Sequence, residues 1–150
     1  MITFSGDTSC VKGRQRSLKN AIQKLATDFG YDINRIDYVF CDDEYLLEIN
    51  KQSLNHDYYT DIITFDYNEG NSIESEIYIS LDRVKENAKT FDQTFHEELN
   101  RVILHGALHL VGFKDKTKKE KEKMRAMETQ YLDILKEVST WNKSKKGDEI

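Results

Sequence analysis

The 150-residue sequence contains no proline, so it holds no Pro-rich linker behind which a second domain would sit. Cysteine is nearly as scarce. Cys10 and Cys41 form no C-x-x-C pair and give no disulfide framework. No apolar run approaches the roughly 20 residues that a membrane-crossing helix needs. The opening stretch Met1-Ile2-Thr3-Phe4-Ser5-Gly6 lacks the basic start and apolar segment of a secretory signal. Excess positive charge is missing as well. A formal net charge of −5 argues against a protein that coats nucleic acid non-specifically, while leaving a local basic groove open. These absences point to a cytoplasmic protein without membrane contact, a bacterial-type cytosol being the simplest compartment.

What is present suits a soluble globular domain. Hydrophobic residues make up 38% and charged residues 33%, and the length suffices to bury a core without disulfides or a structural metal. One domain is expected over residues 1–141, followed by a polar, Lys-rich tail at 142–150 that frays. Two basic clusters stand out: Lys12, Arg14, Arg16 and Lys19, then Lys114, Lys116, Lys118, Lys119, Lys121 and Lys123. Each reads either as a solvated helix face or as part of a basic groove. Asp115, Glu120 and Glu122 interleave with the second cluster and favour the plainer reading there.

Periodicity supplies the elements. Ile2 to Phe4 reads as a short strand. Leu18, Ala21, Ile22, Leu25 and Phe29 recur at helical spacing, so a helix is expected over about residues 12 to 29, stopped by Gly30. Ile36 to Cys41 is β-branched and aromatic, hence a strand. Asp42 and Asp43 open a second helix with Leu46, Leu47 and Ile49 on its buried side, and Asn55-His56-Asp57 reads as a turn. Asp61 to Tyr67 and Glu76 to Ser80 read as a hairpin around Asn68-Glu69-Gly70-Asn71. From Asp82 onward the pattern is helical, with breaks near Thr90 to Thr94 and near Gly112. The last helix spans about Thr117 to Val138, with Met124, Met127, Tyr131, Leu135 and Val138 on one core-facing stripe. The expected fold is α+β: a mixed four-stranded sheet packed with about five helices, and a metal site at the end of a central helix.

That metal site is read from Arg101-Val-Ile-Leu-His105-Gly-Ala-Leu-His109-Leu-Val-Gly112-Phe-Lys-Asp115. The segment is apolar on most sides, so its helix is expected to be buried. Residues four apart share one helix face, which puts His105 and His109 within reach of one ion. Gly112 can end the helix in the left-handed region and turn the chain back, bringing the Asp115 carboxylate to the same ion. A lone histidine in such a helix is usually a satisfied core residue. Two at this spacing, a return turn and a carboxylate make three ligands, and a catalytic zinc leaves its fourth position to water. One Zn2+ per chain is the expected cofactor. Gly106 stands where a metalloprotease of the H-E-x-x-H type carries its general-base glutamate, and its lack of a side chain argues against that activity. Two histidines and a carboxylate also make the iron oxygenase set, whose ligands more often come from strands far apart in sequence.

His105-Gly-Ala-Leu-His109-Leu-Val-Gly112-Phe-Lys-Asp115 resembles the signature of the YbeY endoribonuclease family, the rRNA maturation factors, which reads H-G-x-L-H-L-x-G-Y-D-H. His105, Gly106, Leu108, His109, Leu110, Gly112 and the aromatic Phe113 match. Thr60-Asp61-Ile62-Ile63-Thr64-Phe65 is similar to the family's T-D-V-L-S-F strand, Ile49-Asn50 to its Leu-Asn, and Glu76 to Ser80 to its next strand. The resemblance covers about residues 35 to 135. It implies a metal-dependent, single-strand-specific endoribonuclease acting in rRNA maturation and ribosome quality control. The implied partners are single-stranded RNA, rRNA above all, and the ribosome or its proteins, with no DNA and no membrane. The alternative is a non-catalytic, zinc-stabilised assembly module on the ribosome, and a third reading is a hydrolase of another small substrate.

Two departures bear on mechanism. Asp115 stands where the family has a third histidine ligand. The family's Tyr-Arg pair falls on Ser53 and Leu54, which removes an arginine expected to steady phosphate charge. Lys51, Arg101 and Lys114 are the candidates to replace it. Tyr58, Tyr59 and Tyr67 are candidates for stacking on bases, with core packing as the competing role, and His56 and His96 are expected at the surface.

Overall fold

The computed structural model describes residues 1–148, with side chains through Lys136. Strand β1 (Ile2–Gly6) leads through a 3-10 turn at Thr8–Val11 into helix α1 (Gln15–Asp28). Strand β2 (Asp32–Cys41) and helix α2 (Asp43–Leu54) follow, then the hairpin of β3 (Ile62–Asp66) and β4 (Ser72–Ser80). Helices α3 (Leu81–Thr90), α4 (Phe95–Leu110) and α5 (Lys118–Asp148) complete the chain. The sheet order is β1-β2-β4-β3, with β3 antiparallel to β4 and the other pairs parallel. This is the expected α+β domain with a mixed four-stranded sheet and five helices.

Several boundaries differ from the sequence reading. The first helix starts at Gln15 because Asp7 accepts from the Ser9 amide and holds residues 8–11 in a tighter turn. β2 and β4 are longer than their apolar cores, because parallel pairing from Asp32 with Ser72 draws polar residues into the ladder; tertiary pairing outweighs propensity there. α5 runs well past Val138, while the side chains of Val138 and of the 142–150 tail lie outside the described residues.

Strand alternation makes one face of the sheet apolar. Ile36, Tyr38 and Phe40 of β2 and Ile73, Ile77 and Ile79 of β4 are buried there. α4 covers this face, with Leu99, Val102, Ile103, Leu104, Ala107 and Leu108 buried. The Tyr38 hydroxyl donates to the Ile103 carbonyl at 3.0 Å, a buried bond worth about 1 kcal/mol. α2 packs on the opposite face, where Leu46 and Ile63 are buried and the Tyr45 and Tyr78 rings lie 6.5 Å apart.

Gly106 fixes how closely α4 approaches the sheet. A Cβ there would meet Ile62 Cδ1 at 3.0 Å and Ile77 Cδ1 at 3.1 Å. Gly106→Ala needs only small shifts of two flexible methyls, and its helix propensity gain of about 1 kcal/mol offsets them. Gly106→Val adds branched bulk against the sheet and is expected to cost about 1–3 kcal/mol. Urea unfolding midpoints of the two variants check this ordering, and equal midpoints would contradict the close approach.

Candidate metal centre

The end of α4 shapes the centre. Gly112 takes φ +100°, the Gly112 amide donates to the His109 carbonyl, and the Phe113 amide reaches back to Leu108. This is a Schellman closure, which needs a residue free to enter the left-handed region. Asn68, from the β3–β4 turn, donates to the Leu110 carbonyl at 2.9 Å and caps the same end. The chain therefore reverses within a few residues and brings Asp115 back beside the helix.

His105 and His109 lie one turn apart, their Nε2 atoms separated by 2.9 Å. Asp115 Oδ2 lies 3.2 Å from His105 Nε2 and 3.6 Å from His109 Nε2. Donors about 2.0–2.1 Å from a tetrahedral zinc stand roughly 3.4 Å from one another. The three donor atoms therefore already form a face of the right size, and this group could hold a metal ion.

The outer ring nitrogens set the tautomers. His109 Nδ1 lies 2.8 Å from the Phe113 carbonyl, which can only accept. His105 Nδ1 lies 2.6 Å from Glu128 Oε2. Both Nδ1 atoms therefore carry a proton, and both Nε2 atoms face the centre. Glu128 is 5% exposed and gives its other oxygen to Arg101 Nη1 at 2.7 Å. Burial opposes a proton on His105, but the Glu128 hydrogen bond and the charges of Glu128, Asp115 and Asp61 outweigh it and raise the pKa. Burial and then the His105 charge lower that of His109.

The three donors border a cleft of about 610 Å3 between β3, α4 and α5, which Thr60, Asp61, Thr64, Glu98, Arg101 and Glu128 also line. Burial raises the Asp61 carboxyl above its usual range, against the charge of His105 and hydrogen bonds from nearby backbone and Asn87. Burial, then the Asp61 charge, raises Glu98.

Of the three candidates for the missing arginine, Arg101 lines the cleft. Lys51 lies 3.6 Å from Asp57 on exposed surface, and exposed Lys114 is not among the lining residues. His56 and His96 are exposed and outside the ligand group. Tyr58, Tyr59 and Tyr67 are about half exposed rather than core. The first basic cluster is partly structural: Arg14 donates to Asn100 and the Cys10 carbonyl, and Lys19 sits over the Phe4 ring. The second is exposed at all six lysines, beside Asp115.

Sequence reasoning missed Glu128, Glu98 and Asp61 as parts of this site. The signal for Glu128 was a carboxylate in phase with Met124, Tyr131 and Leu135, which are buried. Buried Asn50 also has a role that spacing alone did not reveal. Its amide donates to the Tyr58 carbonyl at 2.9 Å and steadies the loop that delivers Thr60 and Asp61.

In this α+β domain two histidines and an aspartate sit on an open polar cleft, with no fourth donor in that group among the described residues, a ligand set that could hold one metal ion and leave a position open to water. The family model for endoribonuclease YbeY matches residues 5–136. The chain is 48% identical over 134 residues to an endoribonuclease YbeY of Cytophaga hutchinsonii, covering 89% of this chain and 94% of the relative. It is 47% identical to one from Porphyromonas gingivalis, over 90% of this chain and 89% of the relative. A solution structure of a Thermotoga maritima protein superposes with a TM-score of 0.66 at 26% identity, covering 97% of this chain and 95% of that one. The chain belongs to the YbeY endoribonuclease family.

Two outcomes follow for metal binding. Glu128→Gln keeps its shape but loses the charge that orients His105, so zinc affinity is expected to fall about 10–100-fold with the fold intact; chelator competition and circular dichroism measure both. Binding must also displace the proton that His105 retains. Affinity is therefore expected to fall as pH drops, beginning above the ordinary imidazole value of about 6.5 and losing about tenfold per unit. A flat profile between pH 5 and 8 would contradict this.

Proposed function

We propose that this protein is a zinc-dependent, single-strand-specific endoribonuclease that acts on rRNA in maturation and ribosome quality control, in the cytoplasm. The convergence of His105, His109 and Asp115 at an open cleft carries the reading, in a chain whose relatives are named endoribonucleases. A zinc ion held there would supply Lewis acidity and a water acidified towards about pH 7.

The chain's own residues do the rest. Glu128 and the Phe113 carbonyl hold the two imidazoles in the ligating tautomer. The Asp115 carboxylate lowers the positive charge of the centre relative to a third histidine, so its water is slightly less acidic than in a three-histidine site. Arg101 spends one N–H on Glu128 and keeps others to meet phosphate oxygen, where developing charge needs a donor. Lys51 and Lys114 stand outside the cleft lining and are proposed to act on the RNA further out.

The six exposed lysines at 114–123 lie next to Asp115 and suit the phosphate backbone, so affinity for RNA falls steeply with salt. A cleft of about 610 Å3 admits a splayed single strand more readily than a rigid duplex. Tyr58, Tyr59 and Tyr67 are each about half exposed and are the proposed stacking surfaces for bases, although the Tyr58 ring stacks on His56 and Arg83 covers one face of Tyr59. The ribosome and its proteins are the proposed partners, and neither DNA nor a membrane is.

Metal analysis and cleavage of a single-stranded oligoribonucleotide test the reading together. His109→Ala is expected to lose both stoichiometric zinc and cleavage, with an unchanged circular dichroism spectrum. Cleavage that survives metal loss would overturn it. Alanine at Lys51, Arg101 and Lys114 together is expected to lower cleavage with zinc retained, and unchanged cleavage would remove all three from the mechanism.

A further inference from the structure

We propose that Asp61 and Glu98 hold a second divalent cation, of the magnesium class, which a phosphate of bound RNA completes. The cation site stands on the geometry of the cleft; the phosphate's part rests on the nuclease reading.

Charge is the first argument. Asp61, Asp66, Glu98, Asp115 and Glu128 line the cleft against a single guanidinium, that of Arg101. Even with a dication at the histidines, two negative charges stay uncompensated when every carboxylate is ionised. A polyanion entering this wall meets repulsion that the lysines outside the cleft do not cancel.

Glu98 is the second. It is 6% exposed, yet no described residue donates a hydrogen bond to its carboxylate or pairs with it, although Arg101 stands on the same helix. The Glu98 oxygens open onto the cleft rather than into packed protein, so a partner for them comes from what the cleft holds. Asp61 faces the same cleft from the loop before β3. It is fixed by Asn87, whose amide donates to Oδ2 at 3.3 Å, and a carboxylate has further lone pairs to give. Each carboxyl is raised by burial, and Glu98 additionally by the Asp61 charge. A cation between them relieves both causes.

The donor chemistry sets the class of ion. The histidine centre offers two imidazole nitrogens and suits zinc. Asp61 and Glu98 offer hard oxygen alone. Magnesium keeps most of its waters and binds through one or two carboxylates plus substrate phosphate. The two sites therefore divide two metals by ligand type within one cleft, and the second ion anchors the RNA backbone where the protein supplies a single guanidinium.

Mn2+ is the probe. Zinc-loaded protein is titrated with Mn2+ without RNA, and the loss of the free-ion electron paramagnetic resonance signal counts bound Mn2+. One Mn2+ per chain is expected, at roughly 0.1–1 mM, displaceable by Mg2+, with zinc content unchanged. Glu98→Gln and Asp61→Asn, each made separately, are expected to weaken Mn2+ binding at least about tenfold while zinc stays bound. Absence of bound Mn2+ in the zinc-loaded wild type overturns the proposal, whatever the variants do. So does Mn2+ uptake matched by zinc release, or wild-type Mn2+ affinity in folded Glu98→Gln. Adding a single-stranded oligoribonucleotide is expected to tighten Mn2+ binding severalfold. Mn2+ binding that RNA leaves unaltered supports the cation site and counts against the RNA reading.

Discussion

The Glu128 carboxylate divides its two oxygens between Arg101 and His105, and the alignment of the centre depends on that division. A buried charge of this kind survives because both oxygens are satisfied by charged or strongly polar donors. The same contact clasps α5 to α4, since Arg101 and His105 share one helix and Glu128 belongs to the other. Helix packing and ligand orientation are therefore a single interaction. A second clasp, from the Tyr131 hydroxyl to Asp28 at 2.7 Å, joins α5 to α1 and fixes the rotation of α5 that aims Glu128 inward.

Much of this was legible in the residues. Alternation placed the β3–β4 hairpin, and the i, i+4 histidines followed by Gly112 anticipated both the shared face and the left-handed turn. These features depend on local geometry, which sequence spacing encodes directly. The extent of β2 and β4 was less legible. Asp32, Ser72 and Glu74 are poor strand formers, and their ladder exists because parallel partners lie alongside.

The carboxylates of the cleft were illegible for a related reason. Glu98, Glu128 and Asp61 come from three parts of the chain, and what sets them apart is that they line one cleft. A charged residue in a helix reads as solvated surface until the neighbouring element is known. Glu128 was recoverable from its phase with the buried stripe, whereas Glu98 had no such mark: it neighbours Leu99 but also Glu97, in a first turn where acidic residues are ordinary. Arg101 shows the converse. It was singled out for phosphate, and the structure gives it a structural partner as well.

The cleft draws Asp61 from before the hairpin, its histidines from α4, and the carboxylate that orients His105 from α5. Synthesis proceeds from the N-terminus, and domains fold as units once enough chain has emerged. The sheet and α4 can assemble while α5 is still within the ribosomal exit tunnel, but the His105 ring then has no Glu128 to lock it. Full-strength metal capture is thus postponed until α5 has packed against α4.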